Sequence, residues 1–238
     1  EIDTPFGPGR RFQHGDWQDT APDETEAPAA PAARTGWLTA QAPPPPEKDA
    51  VLNPSDLKGN KALPGEGAVF DEDAALRRGR QIHRLLEHLP GYPKADWPET
   101  APALLAHGED AASPDEAARI LTAPHLSHLF APGTLAEVPL TCRLPAFPDR
   151  TLQGTADRLV VAPDRVLVVD FKTNAVVPSD PGDVPEGLMR QMGAYAAALS
   201  TIYPGRPIDA AILWTRSATL MSLPHDMVMA ALARAATS

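Results

Sequence analysis

The chain has 238 residues, 43 % of them hydrophobic and 5 % aromatic, and its 31 acidic against 21 basic side chains give a net charge of −10. One cysteine, Cys142, excludes a disulfide scaffold, a four-cysteine zinc site and a cysteine-ligated iron–sulfur cluster, and fits a reducing cytosol. With no run of about 18 apolar residues and no basic-then-apolar start, neither a membrane span nor a secretory leader is expected.

Residues 1–73 carry 14 acidic and 6 basic side chains, which leaves 17 against 15 for the remainder. The acidic excess therefore sits in an N-terminal tract of Ala, Pro, Glu and Thr that includes the tetraproline Pro43–Pro46 and shows no helical or strand period. Such a composition cannot bury enough apolar surface to fold. Residues 1–50 are read as a flexible linker, in which Trp17 and Trp37 are either isolated aromatics or anchors for a partner surface, and residues 51–238 as the folded domain. The first residue is Glu1 rather than Met, and the chain is expected to be part of a longer one.

Order is expected from Leu52, with Asn53 or Ser55 capping a short turn or helix. A helix is predicted over 71–89: Asp71, Glu72 and Asp73 suit the positive end of the macrodipole, Ile82, Leu85, Leu86 and Leu89 recur at helical spacing, and Pro90-Gly91 stops it. Ala-rich helical pieces follow at 99–107 and 114–130. Strands are predicted over 135–144, 151–161 and 166–172, β-branched or alternating runs cut by Pro, Asp and Gly. A second strong helix covers 186–202 and ends before Pro204-Gly205; strands at 208–215 and 219–223 and a closing helix from Asp226 complete the order. Three sequential strands, one crossover helix and a further strand make a mixed sheet with helices on its faces, so the class is α/β.

Pro163-Asp164 is a turn dipeptide between two of the strands and predicts a hairpin. Counting back equally from it on both sides brings Asp157 opposite Asp170, where Cβ atoms lie about 5 Å apart and two carboxylates repel unless a cation sits between them. Oxygen ligands of this kind chelate Mg²⁺. Lys172 follows Asp170 by two, so the pleat places its ammonium on the same face. A structural Asp170–Lys172 ion pair, or a register slip that sends Asp157 elsewhere, are the competing readings. His83 lies at the edge of the apolar stripe of the first helix, either as a helix-surface histidine or as a neutral imidazole ligand. Four residues before it, Gly79 lets another backbone or a ligand approach closely. Gln191 and Tyr195 are neighbours on one face of the second helix. Arg77, Arg78, Arg80 and Arg84 surround His83 as phosphate contacts or as a solvated basic face. Glu137 is either a surface acid of an edge strand or an acid that reaches the site through a water. His125 and His128 are assigned to a helix surface, and Cys142 to a half-buried strand position.

Four motifs in this order carry a resemblance: Gly79-Arg-Gln-Ile-His83, Gly154-Thr-Ala-Asp157-Arg, Val168-Val-Asp170-Phe-Lys172 and Gln191-Met-Gly-Ala-Tyr195. Over residues 52–238 the sequence resembles the RecB-like branch of the PD-(D/E)XK nucleases, and within it the nuclease domains of AddA-type helicase-nuclease subunits. The resemblance implies a restriction-endonuclease-like αβββαβ core and a Mg²⁺-dependent deoxyribonuclease, with Mn²⁺ as a substitute ion. It implies that His83, Asp157, Asp170 and the backbone carbonyl of Phe171 bind the metal, that Lys172 assists the attacking water, and that Gln191 and Tyr195 line the site and contact the DNA strand, with Arg80 and Arg84 beside them. The absence of a clustering cysteine set points to the AddA rather than the AddB side. No phosphate-binding loop of the G-x-x-x-x-G-K-[ST] form is present, so ATP would be hydrolysed only in helicase domains preceding residue 1, tethered by the Pro-rich tract. The implied partners are single-stranded DNA from an unwound duplex, those helicase domains and an AddB-type subunit, in the bacterial cytoplasm at the nucleoid, in double-strand break repair. A nuclease-like scaffold that binds without cutting and a stand-alone RecB-like exonuclease are the alternatives.

Overall fold

The computed structural model describes residues 2–4, 7–10, 50–61, 63, 72–105 and 112–237. The chain divides into two units, Glu1–Glu47 and Lys48–Ser238. In the first, Ile2–Thr4 (β1) and Gly7–Gly9 (β2) pair antiparallel, with Gly7 at φ +114. Three-residue strands leave no period to read, and the composition of the tract did not suggest them. Trp17, Trp37 and the tetraproline lie outside the described residues.

The second unit contains β3 (Ala50–Leu52), α1 (Glu72–His88), α2 (Trp97–Leu104), α3 (Ala112–Thr122), β4 (Leu135–Arg143), β5 (Arg150–Val161), β6 (Val166–Lys172), α4 (Glu186–Ile202), β7 (Ile208–Trp214), β8 (Thr219–Leu223) and α5 (His225–Ala236). The predicted αβββαβ order is present, with small corrections. The helix predicted over 114–130 stops at Thr122 and resumes as a 3₁₀ turn at Pro124–Leu129, because a residue preceding proline is driven out of the α region. Asn53 stands at the N-cap of a 3₁₀ turn, Pro54–Asp56, yet accepts no backbone N–H; its amide donates to Asp56 Oδ2 at 2.6 Å.

Alternation along β6 decides how the sheet is covered. Val166 and Val168 face α4 and α5, packing with Met192, Leu199, Ile212, Trp214 and Val228. Val169 and Phe171 face the other way, onto Ile82, Leu86, Ile120 and Leu129 of the α1 side. A strand apolar on both faces belongs in the middle of a covered sheet. β6 indeed lies between antiparallel β5 and parallel β7, with α4 as the crossover.

β5 is the long strand that builds the site. β4 runs antiparallel along one edge, while the opposite edge is shared: β3 pairs in parallel with Arg150–Leu152, and β6 pairs with Arg158–Val161. Residues 153–157 are left open on that edge. The segment after β3 covers the gap, and Gly154 is what lets it: a Cβ there would lie 2.7 Å from Pro54 Cδ and 3.2 Å from Tyr195 Cε1. Among the described residues no helix is long and apolar enough to cross a membrane.

Candidate metal centre and groove

The β5–β6 ladder pairs Arg158 with Val169, Leu159 with Val168 and Val161 with Val166, which is the register of a turn centred on Pro163-Asp164. It stops one pair short of Asp157 and Asp170. There the Phe171 N–H donates to Asp157 Oδ2 at 2.5 Å, so a side chain takes the bond that a ladder carbonyl would otherwise accept. The β4–β5 ladder is interrupted at the same level, pairing Ala136 with Arg158 and Val138 with Ala156 but omitting Glu137 and Asp157. Ala156 and Leu159, three residues apart, both face the α4 side while Arg158 packs toward Phe130, so the pleat changes face at Asp157. Glu137 takes a φ of +47, a left-handed conformation that costs a non-glycine residue about 1–2 kcal/mol. Such strain concentrates at functional sites.

This break brings carboxylates and an imidazole together. His83, Glu137 and Asp157 each offer a ligand atom within 4.8 Å of the others. His83 Nδ1 is 3.3 Å from Asp157 Oδ1, and its Nε2 is 3.2 Å from the Phe171 carbonyl. The His83 ring meets the Phe171 ring edge-on, with centroids 5.6 Å apart. Burial disfavours the charged ring, but the hydrogen bond and charge of Asp157, with Asp170 behind it, raise the His83 pKa above its ordinary value. Burial and the neighbouring Asp157 likewise push the Glu137 carboxyl up.

Asp170 lies alongside, 4 % exposed. Its Oδ2 is 2.5 Å from Lys172 Nζ, and its Oδ1 accepts from Gln191 Nε2 at 2.8 Å. Burial first, then Asp157, pushes the Asp170 carboxyl up against the pull of Lys172. Burial works against the Lys172 ammonium, yet Asp170 and Asp157 hold its pKa above the usual lysine value.

Of these groups His83, Glu137 and Lys172 line a groove of about 580 Å³, while Asp157 and Asp170 do not; its α1 wall is a helical stripe of Leu76, Gly79, Arg80, His83 and Arg84, and Phe171, Lys172 and Thr173 also line it. Arg80 and Arg84 line it; Arg78 instead binds Glu116 of α3. Gln191 and Tyr195 are 5 % and 4 % exposed and do not line the groove. Gln191 holds Asp170, and the Tyr195 hydroxyl donates to the Thr155 carbonyl at 2.7 Å, in the open stretch of β5. Burial and then Asp170 raise the Tyr195 pKa, so the phenol stays protonated. His125 binds the Ala218 carbonyl at 2.9 Å, His128 is exposed, and Cys142 is half-buried with its thiol pushed up by burial.

Sequence reasoning missed two cations. Lys61, in a segment without any period, donates to the Ser55 carbonyl, and burial together with Lys172 lowers its pKa. Arg158 is 3 % exposed; its place directly before the apolar Leu159-Val160-Val161 run was the signal available for it.

The donor set suits a hard divalent cation: carboxylate oxygens, one imidazole and a main-chain carbonyl, in the region of Asp157 and the raised His83. Because a protonated ring cannot ligate, Mn²⁺ affinity is expected to fall with decreasing pH, approaching about tenfold per pH unit below the His83 pKa. The raised pKa moves that loss to higher pH than a free imidazole would show. Titration of free Mn²⁺ by its EPR signal checks this, with His83→Asn expected to bind more weakly and with a flatter pH dependence.

A mixed sheet whose interrupted β4–β5 ladder turns two acids toward a histidine of α1, beside a buried Asp-x-Lys, defines a class of proteins able to hold a divalent cation at the sheet. The family model of the PD-(D/E)XK nuclease superfamily matches residues 60–230, and the chain belongs to that superfamily. No curated protein matches. Among solved structures, "Crystal structure of SSO0001" is similar at 11 % identity and a TM-score of 0.36, covering 85 % of this chain and 78 % of that one.

Proposed function

We propose that this chain is a Mg²⁺-dependent deoxyribonuclease domain of the AddA type, cutting strands unwound by helicase domains in the same chain during double-strand break repair. The observation that carries the nuclease part is the His83, Glu137 and Asp157 cluster with the Asp170–Lys172 pair, of which His83, Glu137 and Lys172 line a groove that also carries Arg80 and Arg84. The order of the four motifs supports the AddA assignment, and with it an AddB-type partner and location at the bacterial nucleoid.

His83, Asp157, Asp170 and the Phe171 carbonyl would hold the cation, with Glu137 within reach of it. When bound, it supplies Lewis acidity for the phosphoryl group and acidifies a water. Lys172 is charged at neutral pH, so it serves as a cation that orients water and phosphate rather than as a proton acceptor. Gln191 acts from behind, fixing the Asp170 carboxylate, and Tyr195 fixes the open stretch of β5 that carries Asp157. Arg80 and Arg84 attract the phosphodiester backbone without reading sequence, which makes binding salt-sensitive.

Gly79 supports the groove as the seat of the strand. A Cβ there would meet only Thr173 Oγ1, at 3.7 Å, so packing does not demand glycine at this position. Gly79→Ala is expected to stabilise the fold by about 1 kcal/mol, the helix preference for alanine, while raising KM for single-stranded DNA. Thermal unfolding and steady-state cleavage check both halves.

The deciding experiment is cleavage of end-labelled single-stranded DNA with Mg²⁺, set against Asp170→Ala and an EDTA control. Metal-dependent cutting that disappears in the variant supports the nuclease. Strand binding by both proteins with cutting by neither, also in the full helicase complex, would replace it with a DNA-binding scaffold.

A further inference from the structure

In an α-helix the carbonyl of one residue accepts from the N–H four positions on. For Leu86 that position is Pro90, which has no N–H. Leu86 is fully buried, so water cannot take its place, and a buried carbonyl left unmet is destabilising. Arg158 supplies the missing donor: its Nη2 lies 2.5 Å from the Leu86 oxygen.

The charges of Glu137, Asp157 and Glu87 offset part of the cost of burying the guanidinium, but none of them pairs with it. Its Nε has no hydrogen-bond partner, and among the described residues it makes no ion pair. A buried cation without a bound carboxylate is costly. It stacks over the Phe130 ring at 4.9 Å; Phe130 lies 6.3 Å from the Phe171 ring, which in turn supports the His83 ring at 5.6 Å. The chain of contacts closes on itself. Arg158 adjoins Asp157 on β5, Leu86 lies one turn from His83 on α1, and Phe171 joins both ligands through its N–H to Asp157 and its carbonyl to His83.

We infer that Arg158 is a positioning residue for the metal centre: by filling the Leu86 carbonyl that Pro90 leaves open, it fixes α1 against β5 and thereby the spacing of His83 and Asp157. The inference rests on the metal-site reading above, and it differs from simple helix capping. A cap matters only to the helix, so any other donor to Leu86 would replace it. A tie between α1 and β5 is not restored by a donor within α1.

Mn²⁺ titration of the full chain by EPR, with thermal unfolding alongside, separates the two. Arg158→Met is expected to lower the melting temperature and to weaken Mn²⁺ binding by about 10–100-fold, the usual effect of removing a group that orients metal ligands. Adding Pro90→Ala returns a helical N–H to Leu86 and is expected to recover melting temperature but not Mn²⁺ affinity. Arg158→Lys, which keeps a cation and a donor, is expected to bind Mn²⁺ at an intermediate affinity, and it carries the test if Arg158→Met does not fold. Wild-type affinity in Arg158→Met or Arg158→Lys, or recovery of affinity by Pro90→Ala, overturns the inference while leaving the metal site intact. A wild-type chain that takes up no Mn²⁺ overturns the metal-site reading and this inference with it.

Discussion

Replacing Lys172 by alanine is expected to lower Mg²⁺-dependent cleavage of single-stranded DNA by at least about 1,000-fold, roughly 4 kcal/mol of barrier, while strand binding stays measurable. The side chain is 22 % exposed and opens on the groove while its Nζ sits 2.5 Å from Asp170 Oδ2. It is the cation that pairs with Asp170 and also lines the groove. Removing it takes away charge stabilisation at the reacting phosphate, and it also strips Asp170 of its counter-charge. Burial and Asp157 already push the Asp170 carboxyl up, and without Lys172 only the charge of His83 and the Gln191 hydrogen bond oppose them. Asp170 in the variant should therefore hold its proton to higher pH and ligate a cation less well. The sign follows: residual activity of Lys172→Ala should climb more steeply with pH than that of the wild type. Lys172→Arg is expected to restore little, because a planar fork does not replace a compact ammonium in a pair this tight. A Lys172→Ala protein that cuts at the wild-type rate would sink the role assigned to this residue.

Turn chemistry is local, and that is why the β5–β6 register was legible. Pro163-Asp164 centres the hairpin without reference to the rest of the chain, and the observed pairs follow from it. Where the ladder ends is a tertiary matter. It stops at Arg158 and Val169 because the Asp157 side chain captures the Phe171 N–H, and no period in the sequence announces that. The left-handed Glu137 is hidden for the same reason: a glutamate in an alternating run signals a strand surface, whereas its φ of +47 arises from two strands changing face together. β3 was missed because three residues acquire strand structure only by pairing with Arg150–Leu152, 100 positions away. The break at Thr122 was available in Pro124, but the Ala-rich stretch before it outweighed it. Arg158 needs knowledge that the Leu86 carbonyl, 72 residues earlier in the chain, lies within reach.

Gly193→Ala is expected to destabilise the fold by about 3 kcal/mol or more, near the upper end for an overpacked core, read as a shift of the urea midpoint with the slope unchanged. Helix preference alone predicts the opposite, since alanine is favoured over glycine by about 1 kcal/mol within a helix such as α4. Geometry reverses the sign. A Cβ at 193 would lie 2.2 Å from the Val228 carbonyl oxygen and 3.0 Å from Leu232 Cβ. The first is main chain and the second remains even in alanine, so no change of rotamer relieves the contact. α5 would have to back away from α4, opening a gap around Val228 and Leu232, which are 0 % and 3 % exposed. Gln191 and Tyr195 stand two residues to either side of Gly193, so the same displacement reaches Asp170 and Thr155, and Mn²⁺ affinity should fall along with stability. Gly79 supplies the contrast: the identical substitution there meets only Thr173 Oγ1 at 3.7 Å and should stabilise. Two glycines in two of the quoted motifs thus carry opposite expectations, one holding helices together and one leaving room in the groove, and a Gly193→Ala chain as stable as the wild type would refute the close approach of α4 and α5.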